Sequence, residues 1–363
     1  MKKILFYAPL GHNIPIEKIG GAEMGCRKTM QIYQDAGYEV ITIDKPAMSR
    51  GKVRYAIEML LLPLKLWWMI VTKADKDSPV HIVGFYRNIV KFEYLLMKLV
   101  KWTGHKVIYE LRNGSMVWSY QEGSKSYQDT LKSLLLESDV VLCQGQEYMD
   151  FIKEKWGVER SYYPNYIMDD FMRPNMLDRP KPIKLIYFGR ITEQKNVDVI
   201  VETLALVRKR GIDATLQLIG GYDESYYQLL TNRIKELQLN DFVEFFGRRP
   251  FDFIAEKLRD AHYFVFPSEE KQEGHSNSLT EAMGCGVVPI VSTAGFNASI
   301  CGFPELVIDT ISPERFADKI VEIEHGHSWA KWSEKVYQRI KENYTQKIVS
   351  KKLISYIEPL FDK

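Results

Sequence analysis

Short apolar runs, rich in β-branched and aromatic residues, recur through the second half of the chain at Ile183 to Phe188, Ala214 to Ile219, Phe242 to Phe246, Tyr263 to Phe266 and Val287 to Val291. Segments of helical periodicity fall between them, at about 196–210, 225–238, 251–260 and 278–284. Strands alternating with helices over short connections predict a parallel sheet covered on both faces. The first half repeats the theme, with strands expected near residues 3–8, 38–43, 80–84, 106–111, 139–143 and 160–163. From Pro164 to Pro182 periodicity is lost and four prolines accumulate, which marks a linker. The prediction is an α/β protein of two doubly wound domains, residues 1–165 and 183–344, joined by a linker at 166–182. A C-terminal helix at about 345–363 is expected to pack back onto the first domain.

Residues 59–71 form the most hydrophobic segment, interrupted by Pro63 and Lys65. It falls short of the ~20 apolar residues that a spanning helix needs. A helix packed in the first domain is expected; Trp67, Trp68, Lys65 and Lys73 leave an interfacial helix as the alternative. The opening Met-Lys-Lys-Ile-Leu-Phe-Tyr stops being apolar at Pro9 and reads as a first strand, not a signal peptide.

A length of 363 residues suits two domains, and 45% hydrophobic with 26% charged residues is the balance of a globular protein. Residues 1–165 hold 23 Lys/Arg against 18 Asp/Glu, a net of +5, whereas residues 166–363 hold 26 against 29, a net of −3. A cationic first half leaves room for an anionic partner such as a lipid phosphate or a membrane surface, although solvated helix faces explain most such excesses. The four cysteines show neither Cys-x-x-Cys spacing nor histidines at zinc-ligand intervals, so a reduced, cytoplasmic protein is expected.

In open parallel sheets, ligands bind beyond the carboxyl ends of the strands. Five such loops carry candidate chemistry. Gly20-Gly21 opens a helix after the first strand, where backbone N–H groups can approach a phosphate without a Cβ in the way. Gly189-Arg190 follows the strand ending at Phe188, with Lys195 five residues on, and two cations there can neutralise a diphosphate. Gly220-Gly221 and Gly247-Arg248 follow the next two strands. Glu273-Gly-His275-Ser276-Asn277-Ser-Leu-Thr-Glu281 sets two carboxylates eight positions apart across a loop-to-helix junction, with Ser276 to Ser278 as candidate N-caps. Asp75-Lys-Asp77 spells a carboxylate pair but lies in a polar loop, and no metal site is expected.

Taken together, Gly20-Gly-Ala-Glu23, Pro164-Asn165, Gly189-Arg190 with Lys195, Gly220-Gly221, Gly247, Pro267-Ser268 and Glu273 to Met283 resemble the retaining GT-B glycosyltransferases of glycosyltransferase family 4, over nearly the whole chain. The resemblance implies two Rossmann-like domains facing a central cleft. It further implies transfer of a sugar from a nucleotide diphosphate donor with retention of configuration and without a metal or other cofactor. By position, Arg190 and Lys195 would hold the diphosphate, Glu281 the ribose, Glu273 and the backbone around His275 to Asn277 the donor sugar, and Gly21 the phosphates and acceptor. Gly189, Gly220, Gly221 and Arg248 would complete the donor site. The acceptor would meet Arg87, Arg112 and Asn113, near the Phe85-Tyr86 pair. Two positions depart from the family pattern: Arg112 stands where many members carry histidine, and Asn196 where a glycine often follows the lysine.

The expected donor is a UDP-sugar rather than a GDP-sugar. The expected acceptor is a saccharide or lipid-linked saccharide of a cell-surface polysaccharide, met in the cytoplasm or at the inner face of the membrane through peripheral contact of the first domain; no nucleic-acid partner is expected. A nucleotide-sugar epimerase, or a nucleotide-sugar-binding protein without turnover, is the alternative. A dinucleotide-dependent dehydrogenase lacks its Gly-x-Gly-x-x-Gly run after the first strand.

Overall fold

The structure, a computed structural model, describes residues 1–12, 20–47, 51–84, 87–172, 181–269 and 273–361. The chain divides into two compact units, Met1–Pro164 with Ser350–Lys363, and Asn165–Val349. Phe85, Tyr86 and residues 173–180 of the proline-rich linker lie outside the described residues.

The first unit runs β1 (Lys3–Ala8), α1 (Gly21–Asp35), β2 (Glu39–Asp44), α2 (Lys52–Lys73), β3 (Val80–Gly84), α3 (Val90–Trp102), β4 (Val107–Leu111), α4 (Met116–Gln121), α5 (Lys125–Glu137), β5 (Val140–Cys143), α6 (Gln146–Trp156) and β6 (Ser161–Tyr162). The second runs β7 (Ile183–Phe188), α7 (Val197–Lys209), β8 (Ala214–Ile219), α8 (Glu224–Glu236), β9 (Val243–Gly247), α9 (Phe251–Leu258), β10 (Tyr263–Phe266), α10 (Asn277–Gly284), β11 (Val288–Ser292), α11 (Asn297–Cys301), β12 (Val307–Ile308), α12 (Pro313–His325) and α13 (Trp329–Asn343). The last helix, α14 (Gln346–Ile357), starts in the second unit, and the chain rejoins the first at Ser350. There Phe361 lies 5.4 Å from the Tyr38 ring, and Lys2 pairs with Glu358 at 2.7 Å.

Each unit is built on one six-stranded, wholly parallel sheet, in the orders β2-β1-β3-β4-β5-β6 and β12-β11-β10-β7-β8-β9. Helices cover both faces of such sheets, which explains why central strands such as β3, β4 and β10 are buried at every position. Helix α2 begins at Lys52, so it is longer than the apolar run at 59–71. It is, among the described residues, the one helix long and apolar enough to cross a membrane.

The first unit also buries charge. Glu110, on β4, is 1% exposed; it lies 3.1 Å from His81 on β3 and accepts a 2.7 Å bond from Arg112 Nε. The Arg112 guanidinium reaches Thr29 on α1, and Thr29 shares a 2.9 Å hydrogen bond with the Tyr163 hydroxyl. His81 completes the set through the Tyr33 hydroxyl of α1 at 2.9 Å. Gly25 is required for this arrangement, because a Cβ there would come 1.9 Å from an Arg112 nitrogen. Burial opposes ionisation of Glu110, yet the Arg112 charge and the His81 hydrogen bond outweigh it and hold its carboxyl below the ordinary 4.5. Its contribution to stability is therefore complete above that value and is lost as pH falls through the lower folded value. All four cysteines are buried and free, and burial pushes Cys26 and Cys143 up to about 12 and Cys301 up to about 11.

Removing Glu110 strands a buried guanidinium. Glu110→Ala is expected to cost about 3–5 kcal/mol in urea unfolding, and Glu110→Ala combined with Arg112→Met to recover a large part of it. A single variant as stable as the parent would show that the network adds nothing to the fold.

Candidate functional site

In the second sheet β7 and β10 lie side by side, while β8 and β9 extend one way and β11 and β12 the other. The strand order reverses at this pair, which is where open parallel sheets leave a crevice. The loops leaving β7 and β10 are those that carry Gly189-Arg190-Lys195 and Pro267-Ser268-Glu273.

Backbone hydrogen bonds tie the loops at the carboxyl edge together. Gly189 N–H donates to Ile219 O at 3.0 Å, Gly220 N–H to Gly247 O at 2.9 Å and Ile191 N–H to Gly221 O at 2.8 Å. Gly220 has φ 159°, and a Cβ on it would come 1.7 Å from Gly189 O, so the close approach of these loops requires glycine. The Tyr187 hydroxyl donates to Arg190 O at 2.6 Å and fixes the exit turn. Arg190, Gly221 and Arg248 are exposed at this edge.

Lys195 and Glu273 meet directly. Lys195 is 6% exposed, and its Nζ pairs with Glu273 Oε2, to which Ser268 Oγ also donates at 2.9 Å. The same ammonium lies 5.3 Å from the centre of the Phe266 ring. Two further bonds hold the turn carrying Lys195 against the β10 exit: Glu269 N–H to Gln194 O at 3.1 Å, and Asn196 Nδ2 to Pro267 O at 3.0 Å. Asn196 has φ 50°, in the left-handed region. That accounts for asparagine at a position where a glycine would otherwise serve, since asparagine is the side chain that tolerates this region best.

Helix α10 starts where the spacing of serines predicted. Ser276 is its N-cap, with Oγ accepting from Leu279 N–H at 3.3 Å. Asn165 secures the cap from outside the helix, its Nδ2 donating to His275 O at 3.1 Å and to Asn277 Oδ1 at 2.9 Å. His275 and Ser276 are each 6% exposed, and the His275 ring is 5.4 Å from that of Tyr344. Glu281, half-buried, is the fifth residue of α10, just past its first turn.

Two contributors escaped the sequence reading. Ser268 carries no role in the sequence beyond the Pro267-Ser268 motif, yet it donates to Glu273. Gly295, in the loop after β11, has φ 55°, and a Cβ there would come 2.0 Å from Glu273 O. A glycine in the short loop that leaves an apolar strand, three residues past Ser292, is the signal available for it.

Among the first-unit candidates, Gly21 is exposed at the first position of α1. Arg112 lies in the buried network with Glu110. Asn113 Oδ1 accepts from Ser115 N–H at 3.0 Å and from Ser115 Oγ at 2.9 Å, a turn that starts α4. Half-buried Arg87, φ 33°, sits 5.9 Å from the Trp118 ring. Asp75 is paired with Lys3 at 3.1 Å, and among the described residues no three His, Cys, Asp or Glu side chains gather as a metal would require.

The two parallel six-stranded sheets and their helices define a GT-B fold. On the side of known structures, Anabaena Alr3699/HepE in complex with UDP is similar with a TM-score of 0.72 at 13% identity, covering 99% of this chain and 100% of that one. Residues 169–347, just under half of the chain, match the family model described as glycosyl transferases group 1. The putative colanic acid biosynthesis glycosyltransferase WcaL of Escherichia coli K12 is 26% identical over 193 residues, 49% of this chain and 46% of that protein. The amylovoran biosynthesis glycosyltransferase AmsK of Erwinia amylovora is 30% identical over 136 residues, 36% of this chain and 31% of that protein. The matched stretches thus span less than half the length of either relative.

Gly295→Ala forces either a strained left-handed alanine or a retreat of the Glu273 backbone. A loss of about 1–3 kcal/mol in urea unfolding is expected. Stability equal to the parent's would mean that the loop yields without cost and does not hold Glu273.

Proposed function

We propose that the protein is a retaining, metal-independent glycosyltransferase that moves a sugar from a nucleotide diphosphate sugar, with UDP as the nucleotide, to a saccharide or lipid-linked saccharide acceptor in cell-surface polysaccharide synthesis. The observation that carries this reading is the convergence of Arg190, Lys195 and Glu273 on the crevice between β7 and β10, beside the capped start of α10. The names of the matched relatives support the polysaccharide role, and the neighbour solved with UDP supports the nucleotide.

In this reading Arg190 and Lys195 stabilise the negative charge that builds on the departing diphosphate. The bond from the anomeric carbon to the diphosphate oxygen breaks as one to the acceptor oxygen forms on the same face, and the acceptor proton passes to a donor phosphate oxygen. Without donor, Lys195 and Glu273 neutralise each other. With donor, the diphosphate takes over Lys195 and the sugar hydroxyls take over Glu273, so both partners exchange one satisfied contact for another. Glu281 accepts from the ribose. Gly189, Gly220, Gly221, Arg248 and the 275–277 backbone line the donor, while acceptor determinants, among them Arg87 and Asn113, are assigned to the first domain; Arg112, buried against Glu110, serves the core of that domain instead. The protein works in the cytoplasm, at the inner face of the membrane.

Calorimetry with UDP beside a transfer assay tests the roles. Arg190→Ala should lower kcat/KM at least about 100-fold. Glu281→Ala should weaken UDP binding by ~1.5–3 kcal/mol. Glu273→Gln should leave UDP binding equal or tighter, because Lys195 is released to the diphosphate, while transfer collapses. A folded Glu273→Gln protein that no longer binds UDP would sink the assignment.

Metal independence has its own test. Transfer should persist in excess EDTA; loss of activity restored by magnesium or manganese would replace the cationic clamp with a metal mechanism.

A further inference from the structure

Helix α2 carries two apolar faces, and only one is used within the domain. Leu62, Leu66, Met69 and Ile70 are buried, and the helix packs beside α3. On the opposite side Val53, Ile57, Leu60, Leu64, Trp67 and Val71 follow one another at alternating intervals of four and three residues. They form a single stripe about 27 Å long. Leu60 is 78% exposed, Leu64 66% and Val71 59%, and Leu61 and Trp68 widen the stripe. Such a continuous apolar surface marks an interaction site.

The charge on the helix says what it meets. Between Lys52 and Lys73 there are four cations and one carboxylate, and that carboxylate, Glu58, is engaged by Arg54 at 2.8 Å. Lys52, Lys65 and Lys73 are left without an ion-pair partner among the described residues. The neighbouring α3 exposes Lys91, Leu95 and Trp102, again a cation beside apolar side chains, while its Lys98 is paired with Glu137 at 2.6 Å. A second copy of this chain docking face to face would set these cations against one another, whereas an anionic lipid surface satisfies both the stripe and the charge.

We propose that the exposed face of α2 docks the protein on an anionic bilayer, with the helix lying in the plane of the headgroups. Length and composition alone also fit a membrane span, but crossing would tear the Leu62, Leu66, Met69 and Ile70 face out of the domain core. In-plane docking leaves that core intact. The proposal deepens the membrane-face location given above without resting on sugar transfer, since it concerns a helix of the first unit and is read without an activity assay.

Sedimentation of the full chain with phosphatidylcholine vesicles, with and without 30 mol% phosphatidylglycerol, is the test, with tryptophan emission followed in parallel. The parent protein should bind the anionic vesicles with a blue shift and bind the neutral ones at least tenfold more weakly. Leu60→Glu with Leu64→Glu replaces exposed residues, so circular dichroism and the unfolding midpoint should match the parent while vesicle binding falls at least tenfold. Lys65→Glu with Lys73→Glu should remove the preference for anionic lipid. The proposal is overturned if the parent ignores anionic vesicles, if the leucine variant still binds them, or if the parent is a dimer in solution that the leucine variant dissolves.

Discussion

Parallel pairing of β7 with β10 is the constraint on which the candidate site rests. The strands are far apart in sequence, and their ladder, Tyr263 beside Leu185 and Phe264 beside Ile186, brings both carboxyl ends to one edge. Every later contact is a consequence. The Lys195 turn can lean on Pro267 and Glu269 only because the two exits are neighbours, and the Lys195–Glu273 pair can form only because that turn is held. A slip of one residue in this ladder would turn each strand's side chains to the opposite face of the sheet and separate the pair.

Two buried ion pairs in this chain have different surroundings, and the difference separates a structural role from an exchangeable one. Glu110 and Arg112 are enclosed by His81 and Thr29, which Tyr33 and Tyr163 hold in turn, so the charges are paired within the domain itself. Lys195 and Glu273 stand at a strand exit, below exposed Arg190 and beside a helix N-terminus. Opening that pair to solvent alone would leave charge poorly compensated. Opening it toward a ligand with an anion on one end and hydroxyls on the other replaces both partners at once.

The strands were legible because a sheet buried on both faces writes unbroken apolar runs, and the loops after β7, β8 and β9 were legible because glycine follows each of those runs, at Gly189, Gly220 and Gly247. What remained hidden depended on contacts distant in sequence. Arg112 read as an accessible cation beyond β4, although Glu110 two residues earlier lies on the same side of the strand and was available as its partner. His81, Thr29 and Tyr163, which complete that network, come from three other segments. Ser268 and Gly295 were hidden for the same reason: their relation to Glu273 exists only once β7, β10 and β11 are side by side. Asn196 was visible as a departure from a family pattern, but its left-handed backbone, which makes the departure tolerable, was not.

Hydropathy read along a window cannot tell one wide apolar face from two opposed ones, and α2 shows why that matters. Its apolar content looked like a single buried helix, yet half of that content faces outward. The same helix clarifies the charge asymmetry of the chain. Of the net +5 carried by residues 1–165, Lys52, Arg54, Lys65 and Lys73 against Glu58 account for +3. The cationic excess of the first half is thus not spread evenly over its surface. More than half of it lies on the element that also exposes a continuous apolar stripe, and it is this coincidence of charge and hydrophobicity on one helix that distinguishes an anionic interface from either a solvated face or a protein contact.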